Sequence, residues 1–71
     1  MTPVKSSNIA ALWHDPINLT MLVQFMTGVT YSYANVSVDM YNQILKADSV
    51  GSAFHKLIKS QPNKHPFTKV P

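Results

Sequence analysis

The chain has 71 residues, which is enough for one domain and too few for two. It contains no cysteine, which excludes disulfide bonds and thiolate metal ligands. Its formal charge of +3 comes from six lysines and three aspartates, and the absence of arginine removes the side chain best suited to reading guanine or clamping phosphate.

The first predicted element is a strand over residues 9–13. Ile9, Ala11 and Trp13 alternate with their neighbours, which predicts that these side chains share one face and favours the core over ligand contact for Trp13. Residues 14–18 bring aspartate, proline and asparagine close together, so this segment is predicted to be a turn.

Two further strands are predicted over residues 20–25 and 29–33, and the length of their connection decides their register. A two-residue turn would divide the apolar side chains between the two faces. A three-residue loop pairs Val23 with Tyr31 and collects the apolar side chains of both strands on one face, namely Met21, Val23, Phe25, Val29, Tyr31 and Tyr33. Because a one-residue slip would reverse the faces and Gly28 suits the left-handed position of such a loop, we predict the longer loop.

Two helices are predicted after the strands, over residues 38–47 and 50–60. Ser37 and Ser49 are favourable N-caps, and apolar residues recur at helical spacing in both segments. Residues 61–71 contain three prolines, so they are predicted to be extended and to dock partly along the sheet edge. The predicted fold is α+β: a three-stranded antiparallel β-sheet (meander) followed by two α-helices packed on one face, in the order β-β-β-α-α.

No arrangement of side chains in the sequence is typical of an active site or a metal centre. His14, His55 and His65 lack the spacing of zinc ligands. The aspartates all fall at predicted turns or helix starts, where capping explains them, and no serine lies in a G-x-S-x-G motif. The sequence therefore predicts a protein that is not an enzyme and that uses no metal or other cofactor.

Tyr31 and Tyr33 stand two residues apart on one predicted strand face. Exposed aromatic side chains in this arrangement stack on bases in RNA-binding sheets. The same register places both beside the apolar core, where a tyrosine fills space and keeps its hydroxyl at the rim. The residues alone leave the structural and the ligand-binding interpretation open.

A set of short motifs extends over roughly residues 4–59. They are, in order, Ser6-Ser7-Asn8-Ile9, His14-Asp15, Val23-x-Phe25-x-x-Gly28-x-x-Tyr31-x-Tyr33-x-x-Val36, Tyr41, Ala47-x-Ser49-x-Gly51, Phe54 and Ile58-Lys59. Together they resemble the KTSC domain, a small domain named for its occurrence at the C-terminus of some lysyl-tRNA synthetases and also found as a stand-alone bacterial and bacteriophage protein. The resemblance implies a single KTSC-like domain over residues 1–60, followed by an extended tail over 61–71 that contains proline and lysine. Within this tail, Pro66-Phe67-Thr68-Lys69-Val70 is also similar to the family.

The family's central mark is its Tyr-x-Tyr, met here by Tyr31 and Tyr33, and the resemblance implies RNA binding. The chain departs from the family at Ser37, where proline is usual, at His14, where tyrosine is usual, and at Ala53, where an aromatic residue is common. The last departure would alter any ligand surface on the second helix.

Two hypotheses about function follow. The first is a small non-catalytic binding module for nucleic acid, in which the rim of Tyr31 and Tyr33 stacks on the bases of RNA or on a small nucleotide. Lysines of the C-terminal third would contact the phosphates, and the candidates are Lys56, Lys59 and Lys64.

The alternative is a bacteriophage-type accessory protein that binds a host protein or sequesters a small cyclic nucleotide. It would form a homo-oligomer through an unprotected edge of the strand at 9–13 or of the strand at 29–33. No apolar run reaches the length of a membrane span, and the N-terminus lacks the features of a signal peptide. We therefore expect a cytoplasmic protein of a bacterial or phage-infected cell, without a membrane partner.

Overall fold

The computed structural model describes residues 1–71 and contains one antiparallel sheet with helices on one face. Five strands follow each other in chain order across the sheet: β1 (Thr2–Pro3), β2 (Ile9–Asp15), β3 (Thr20–Phe25), β4 (Thr30–Tyr33) and β5 (Phe67–Val70). Between β4 and β5 lie α1 (Val38–Leu45) and α2 (Val50–Phe54), which continues as a π-helical turn over His55–Lys59. No helix combines the length and the apolar composition that crossing a bilayer requires.

The α+β class and the antiparallel meander with two helices are confirmed, but the sheet has five strands rather than the predicted three. The extra strands, β1 and β5, pair with β2 and β4 at opposite edges. Both consist almost entirely of exposed residues. An edge strand without a buried face has no alternating apolar pattern, so the sequence gives no sign of it.

The pairing of β1 and β5 overturns the prediction of unprotected edges. The strands predicted at 9–13 and 29–33 are interior strands, because each is covered on both sides. Residues 67–70 of the tail form a complete strand that pairs with β4. The predicted extended conformation is wrong for residues 62–64, which form a turn in which the N–H groups of Lys64 and His65 donate to the carbonyl oxygen of Gln61 at 3.1 and 3.0 Å.

The predicted hairpin register is confirmed. Val23 lies opposite Tyr31, and the backbone N–H of Phe25 donates to the carbonyl oxygen of Val29 at 2.9 Å across the loop at 26–28. Gly28 has φ of +93°, the left-handed conformation that the loop requires.

The predicted face of the first strand is wrong, because β2 contains a β-bulge. The pairing register with β3 shifts by one residue between Ile9 and Ala11, which moves the alternation to the other phase. Ile9 and Leu12 are therefore fully buried, whereas Trp13 is 43% exposed on the face away from the helices. The strand also runs on to Asp15, so the turn begins two residues later than predicted.

The helices begin at the predicted caps. The Ser37 hydroxyl accepts from the N–H of Met40 at 3.2 Å, and the Ser49 hydroxyl accepts from the N–H of Ser52 at 3.3 Å. Helix α1 ends two residues earlier than predicted. The core between sheet and helices contains ten buried side chains: Ile9, Leu12, Met21, Val23, Tyr33, Val36, Ile44, Val50, Phe54 and Ile58.

Candidate functional site

A concave region of about 210 Å³ lies where β4 and β5 meet the end of the π-helical turn. We call it the aromatic groove, and it is lined by Phe25, Tyr31, Tyr33, Lys59, Pro62, His65 and Phe67. A second, more open concavity of about 460 Å³ shares Phe25, Tyr31 and Lys59 with it and extends toward the β3–β4 loop. The shared residues make the two regions one continuous surface along the helix-facing side of the sheet.

Sheet register brings the aromatic side chains together. Tyr31 and Tyr33 are on the same face of β4 as the core, and Phe67 lies directly opposite Tyr33 on β5. The Phe67 ring centroid is 5.6 Å from that of Tyr31 and 5.9 Å from that of Tyr33. Phe25 meets Tyr31 edge to face at 5.9 Å. Close contacts of this kind are favourable for aromatic rings, so the four rings form one continuous aromatic wall of the groove.

The two tyrosines of the Tyr-x-Tyr motif have different roles. Tyr33 is 4% exposed, packs against Phe54 at 5.1 Å and forms the floor of the groove. Burial, and secondarily the nearby Tyr31, raises the pKa of its hydroxyl. Tyr31 is only half-buried, and Phe67 is 58% exposed. A planar ligand can therefore reach Tyr31 and Phe67, but it cannot reach the ring of Tyr33.

The three lysines predicted to contact phosphates differ in their position relative to the groove. Lys59 is exposed and lines the groove, whereas Lys56 and Lys64 do not line it. Lys69, which the sequence reading did not include, lies directly opposite Tyr31 in β5 and so is on the same side of the sheet. Among the predicted site residues, the structure brings together Tyr31, Tyr33 and Lys59.

Phe67 is the groove residue that sequence reasoning missed. Two signals were available: Phe67 and Val70 are the large apolar residues of an otherwise polar tail, and the segment 66–70 is similar to the family. These signals indicate docking of the tail, but they do not indicate where the tail docks. The partner strand is more than thirty residues away in sequence, so its identity depends on tertiary structure.

The tail is held in place by His65 and its neighbours. His65 is 5% exposed, and its Nδ1 donates to the carbonyl oxygen of Ala34 at 3.0 Å. The N–H of Ala34 in turn donates to the carbonyl oxygen of Pro66 at 2.9 Å. These two bonds fix the start of β5 beside the end of β4, so His65 positions Phe67 in the groove.

His14 has a comparable structural role, because it contacts the same loop between β4 and α1 that His65 contacts. Its Nε2 donates to the carbonyl oxygen of Val36 at 2.6 Å, and its ring stacks on Tyr41 at 5.2 Å. No three side chains of histidine or aspartate form a group that could hold a metal ion.

A larger polar cleft of about 570 Å³ lies at the other end of α2, between residues 5–8 and residues 48–55. Three of its four serine hydroxyls take part in local hydrogen bonds: the Ser6 Oγ donates to the Asn8 Oδ1 at 3.0 Å, and the Ser49 Oγ donates to the Ser52 Oγ at 2.9 Å. Residues of two family motifs, Ser6-Ser7-Asn8 and Ser49-x-Gly51, thus line the same cleft.

The fold and the motifs agree with the comparisons to known proteins. The KTSC domain model matches residues 5–61 of the chain. The chain belongs to the KTSC domain family. The resemblance inferred from the motifs is thereby confirmed.

Two similar proteins align with most of the chain. A protein of Tsukamurella paurometabola is 34% identical over 59 residues, which cover 83% of this chain and 88% of that protein. An uncharacterized protein of Stutzerimonas stutzeri is 33% identical over 58 residues, with 82% of each chain covered.

A solved structure is similar over the whole fold. The crystal structure of a KTSC domain protein from Yersinia pestis has a TM-score of 0.88 and 31% identity, and it covers 99% of this chain and 94% of that chain. Because the similarity covers nearly the full chain, it includes the region of β5, which lies beyond the residues matched by the family model.

Proposed function

We propose that this KTSC domain is a non-catalytic module that binds single-stranded RNA in the aromatic groove. The observation that carries the proposal is the pair of accessible rings of Tyr31 and Phe67, 5.6 Å apart, beside the exposed Lys59. Stacking on such rings contributes about 1–3 kcal/mol per base, and lysine supplies the charge for a neighbouring phosphate.

The arrangement favours a single strand over a duplex. Bases in a duplex stack on each other, so an aromatic side chain reaches only bases that are already splayed out. The rings of Tyr31 and Phe67 are nearly perpendicular, with an interplanar angle of 82°, so one base stacks on one ring while its edge meets the other. This geometry suits a short unpaired segment.

The available cations, Lys59 in the groove and Lys69 opposite Tyr31 on the same side of the sheet, suggest weak and sequence-tolerant binding. Without arginine the chain lacks the bidentate fork that selects guanine. If Lys59 and Lys69 each contact one phosphate, the logarithm of the association constant should fall with the logarithm of the salt concentration at a slope of about −1.4. We expect this binding in the cytoplasm.

The test is fluorescence anisotropy with a labelled single-stranded RNA and its duplex at low and moderate salt. Phe67→Ala should weaken single-strand binding about tenfold, and Lys59→Gln should weaken it while reducing the salt slope by about 0.7. Lys56→Gln is the matched control, because it removes the same charge from the same turn but outside the groove.

Two results would reject the proposal. One is an absence of binding at low salt, and the other is equal affinity of Lys59→Gln and Lys56→Gln together with an unaffected Phe67→Ala.

The same groove has the chemistry for a small cyclic nucleotide, which presents one base and one phosphate. The enclosed part of about 210 Å³ favours this second candidate ligand. Competition of cyclic nucleotides against the labelled RNA distinguishes the two, because a nucleotide module would release the RNA at micromolar competitor whereas an RNA module would not.

A further inference from the structure

The sheet face that points away from the helices is not covered by any other element. Residues that lie opposite each other on neighbouring antiparallel strands point to the same side of the sheet. The register therefore assigns six central residues to this face: Ala11, Trp13, Leu22, Gln24, Thr30 and Ser32. The core residues of β3, Met21 and Val23, point the other way. We call this surface the open face.

The open face has no lysine. Lys69 is the only lysine in a strand, and it lies opposite Tyr31, on the helix side. The charged residue at the border of the open face is Asp15, whose carboxylate already accepts hydrogen bonds from Ile17 and Asn18 in the adjoining turn. Depletion of charge around an exposed aromatic residue is typical of the centre of a protein interface, and Trp13 is 43% exposed here.

We propose that the open face is the interface of a homodimer in which two sheets pack face to face. Each copy carries a net charge of +3, so two copies repel each other unless they meet where lysines are absent. The open face meets that condition, because all six lysines lie elsewhere. A nucleic acid is not a suitable partner, because the open face has no cation that could contact a phosphate.

Pairing between strand edges is a poorer route to a dimer. The outer strand β1 has only two residues, one of which is Pro3. At the opposite edge, β5 carries Lys69 and is flanked by Pro66 and Pro71. Lysine and proline at an edge prevent further strand pairing. Self-association is therefore directed to the face of the sheet.

The size of the open face sets the strength of the dimer. Strands are spaced about 4.8 Å apart and rise about 3.4 Å per residue, so a five-stranded sheet of this length presents roughly 400 Å² on one face. That is about half the area each partner contributes to a standard interface. Two such faces bury about 800 Å² in total, which is the size of a weak, transient contact. We therefore expect a dissociation constant on the order of 10⁻⁴ M, with Trp13 as the main anchor. The aromatic groove lies on the other side of the sheet, so the dimer is independent of RNA binding and leaves both grooves free.

Sedimentation velocity of the full chain between about 10 µM and 1 mM tests this proposal. The sedimentation coefficient should rise with concentration. Trp13 is the only tryptophan of the chain, so its emission reports on this face alone and should shift to shorter wavelength as the dimer forms.

Trp13→Lys and Gln24→Lys each place a charge on the open face and should raise the dissociation constant at least tenfold. Met26→Lys is the matched control, because it adds the same charge at a residue that is 60% exposed in the β3–β4 loop. Gln24→Lys replaces one polar side chain with another, so it keeps the test valid if Trp13→Lys does not fold. A chain that stays monomeric at 1 mM overturns the proposal, and so does a dimer that both open-face variants leave intact.

Discussion

Phe67 lies directly opposite Tyr33 across β4 and β5, with 5.9 Å between the ring centroids. This contact joins the last strand of the chain to the second tyrosine of the Tyr-x-Tyr motif. Strand β5 covers the outer edge of β4, and its Phe67 places an accessible ring beside Tyr31. The groove therefore depends on a segment that follows the residues matched by the family model.

Removal of residues 67–71 should both destabilise the fold and abolish groove binding. The deletion takes away the hydrogen bonds between β4 and β5 and leaves β4 as an exposed edge, which promotes aggregation. We expect a lower midpoint of urea unfolding and no measurable single-strand binding. Deletion of Pro71 alone is the control, because this residue lies outside β5. An unchanged midpoint for the longer deletion would contradict the role assigned to β5.

Gly28→Ala should lower the free energy of unfolding by about 1 kcal/mol. The cost is conformational, since Gly28 has φ of +93° and an added Cβ would meet no atom within 4 Å. Gly28→Asn should cost less, because asparagine tolerates positive φ better than alanine. Urea unfolding of the three proteins checks the order, and equal stability of the alanine variant and the parent would refute the strained-loop account.

Gly51→Ala should destabilise the chain for a different reason. A Cβ at Gly51 would lie 3.1 Å from the Ser6 Oγ and 3.1 Å from the Asn8 Oδ1. The Ser6 hydroxyl donates a hydrogen bond to the Asn8 Oδ1 at 3.0 Å and accepts one from the N–H of Ile9 at 3.3 Å, so neither oxygen can move away without weakening these bonds. Alanine is otherwise favoured over glycine in a helix by about 1 kcal/mol.

The crowding can be separated from helix propensity with a double-mutant cycle. In a Ser6→Ala background, Gly51→Ala should cost less than in the parent, since one of the two crowding oxygens is gone. Additive effects of the two substitutions in urea unfolding would show that the contact is not responsible.

Alkaline pH should destabilise the fold through Tyr33. Its pKa is raised in the folded state from the ordinary value of 10.0, so above that pH the folded state binds more protons than the unfolded state. The stabilisation is fully present below about pH 10 and is lost as the pH rises through the folded pKa. Tyr33→Phe should show a shallower decline in the free energy of unfolding above pH 10, as measured by urea titration at stepped pH. Identical pH profiles would contradict the buried position of the hydroxyl.

The β3–β4 hairpin and both helix caps could be predicted from the sequence because they depend on local rules. The register that pairs Val23 with Tyr31 is set by the alternation of apolar and polar residues in both strands and by Gly28, which adopts a positive φ in the loop. Ser37 and Ser49 satisfy backbone groups within the first turn that each precedes. The family, too, could be inferred from the order of its motifs.

The face of Trp13, the fifth strand and the composition of the groove were decided only by tertiary structure. A bulge in β2 reverses the alternation, and nothing local in the segment from Ile9 marks its position. Strand β5 has no buried face of its own, and it forms because the edge of β4 offers hydrogen bonds. The periodicity of apolar residues indicates which side chains are buried, but it does not indicate which distant strands pair. The contacts of Phe67 with Tyr31 and Tyr33 depend on the pairing of β5 with β4, so only the tertiary structure places Phe67 in the groove.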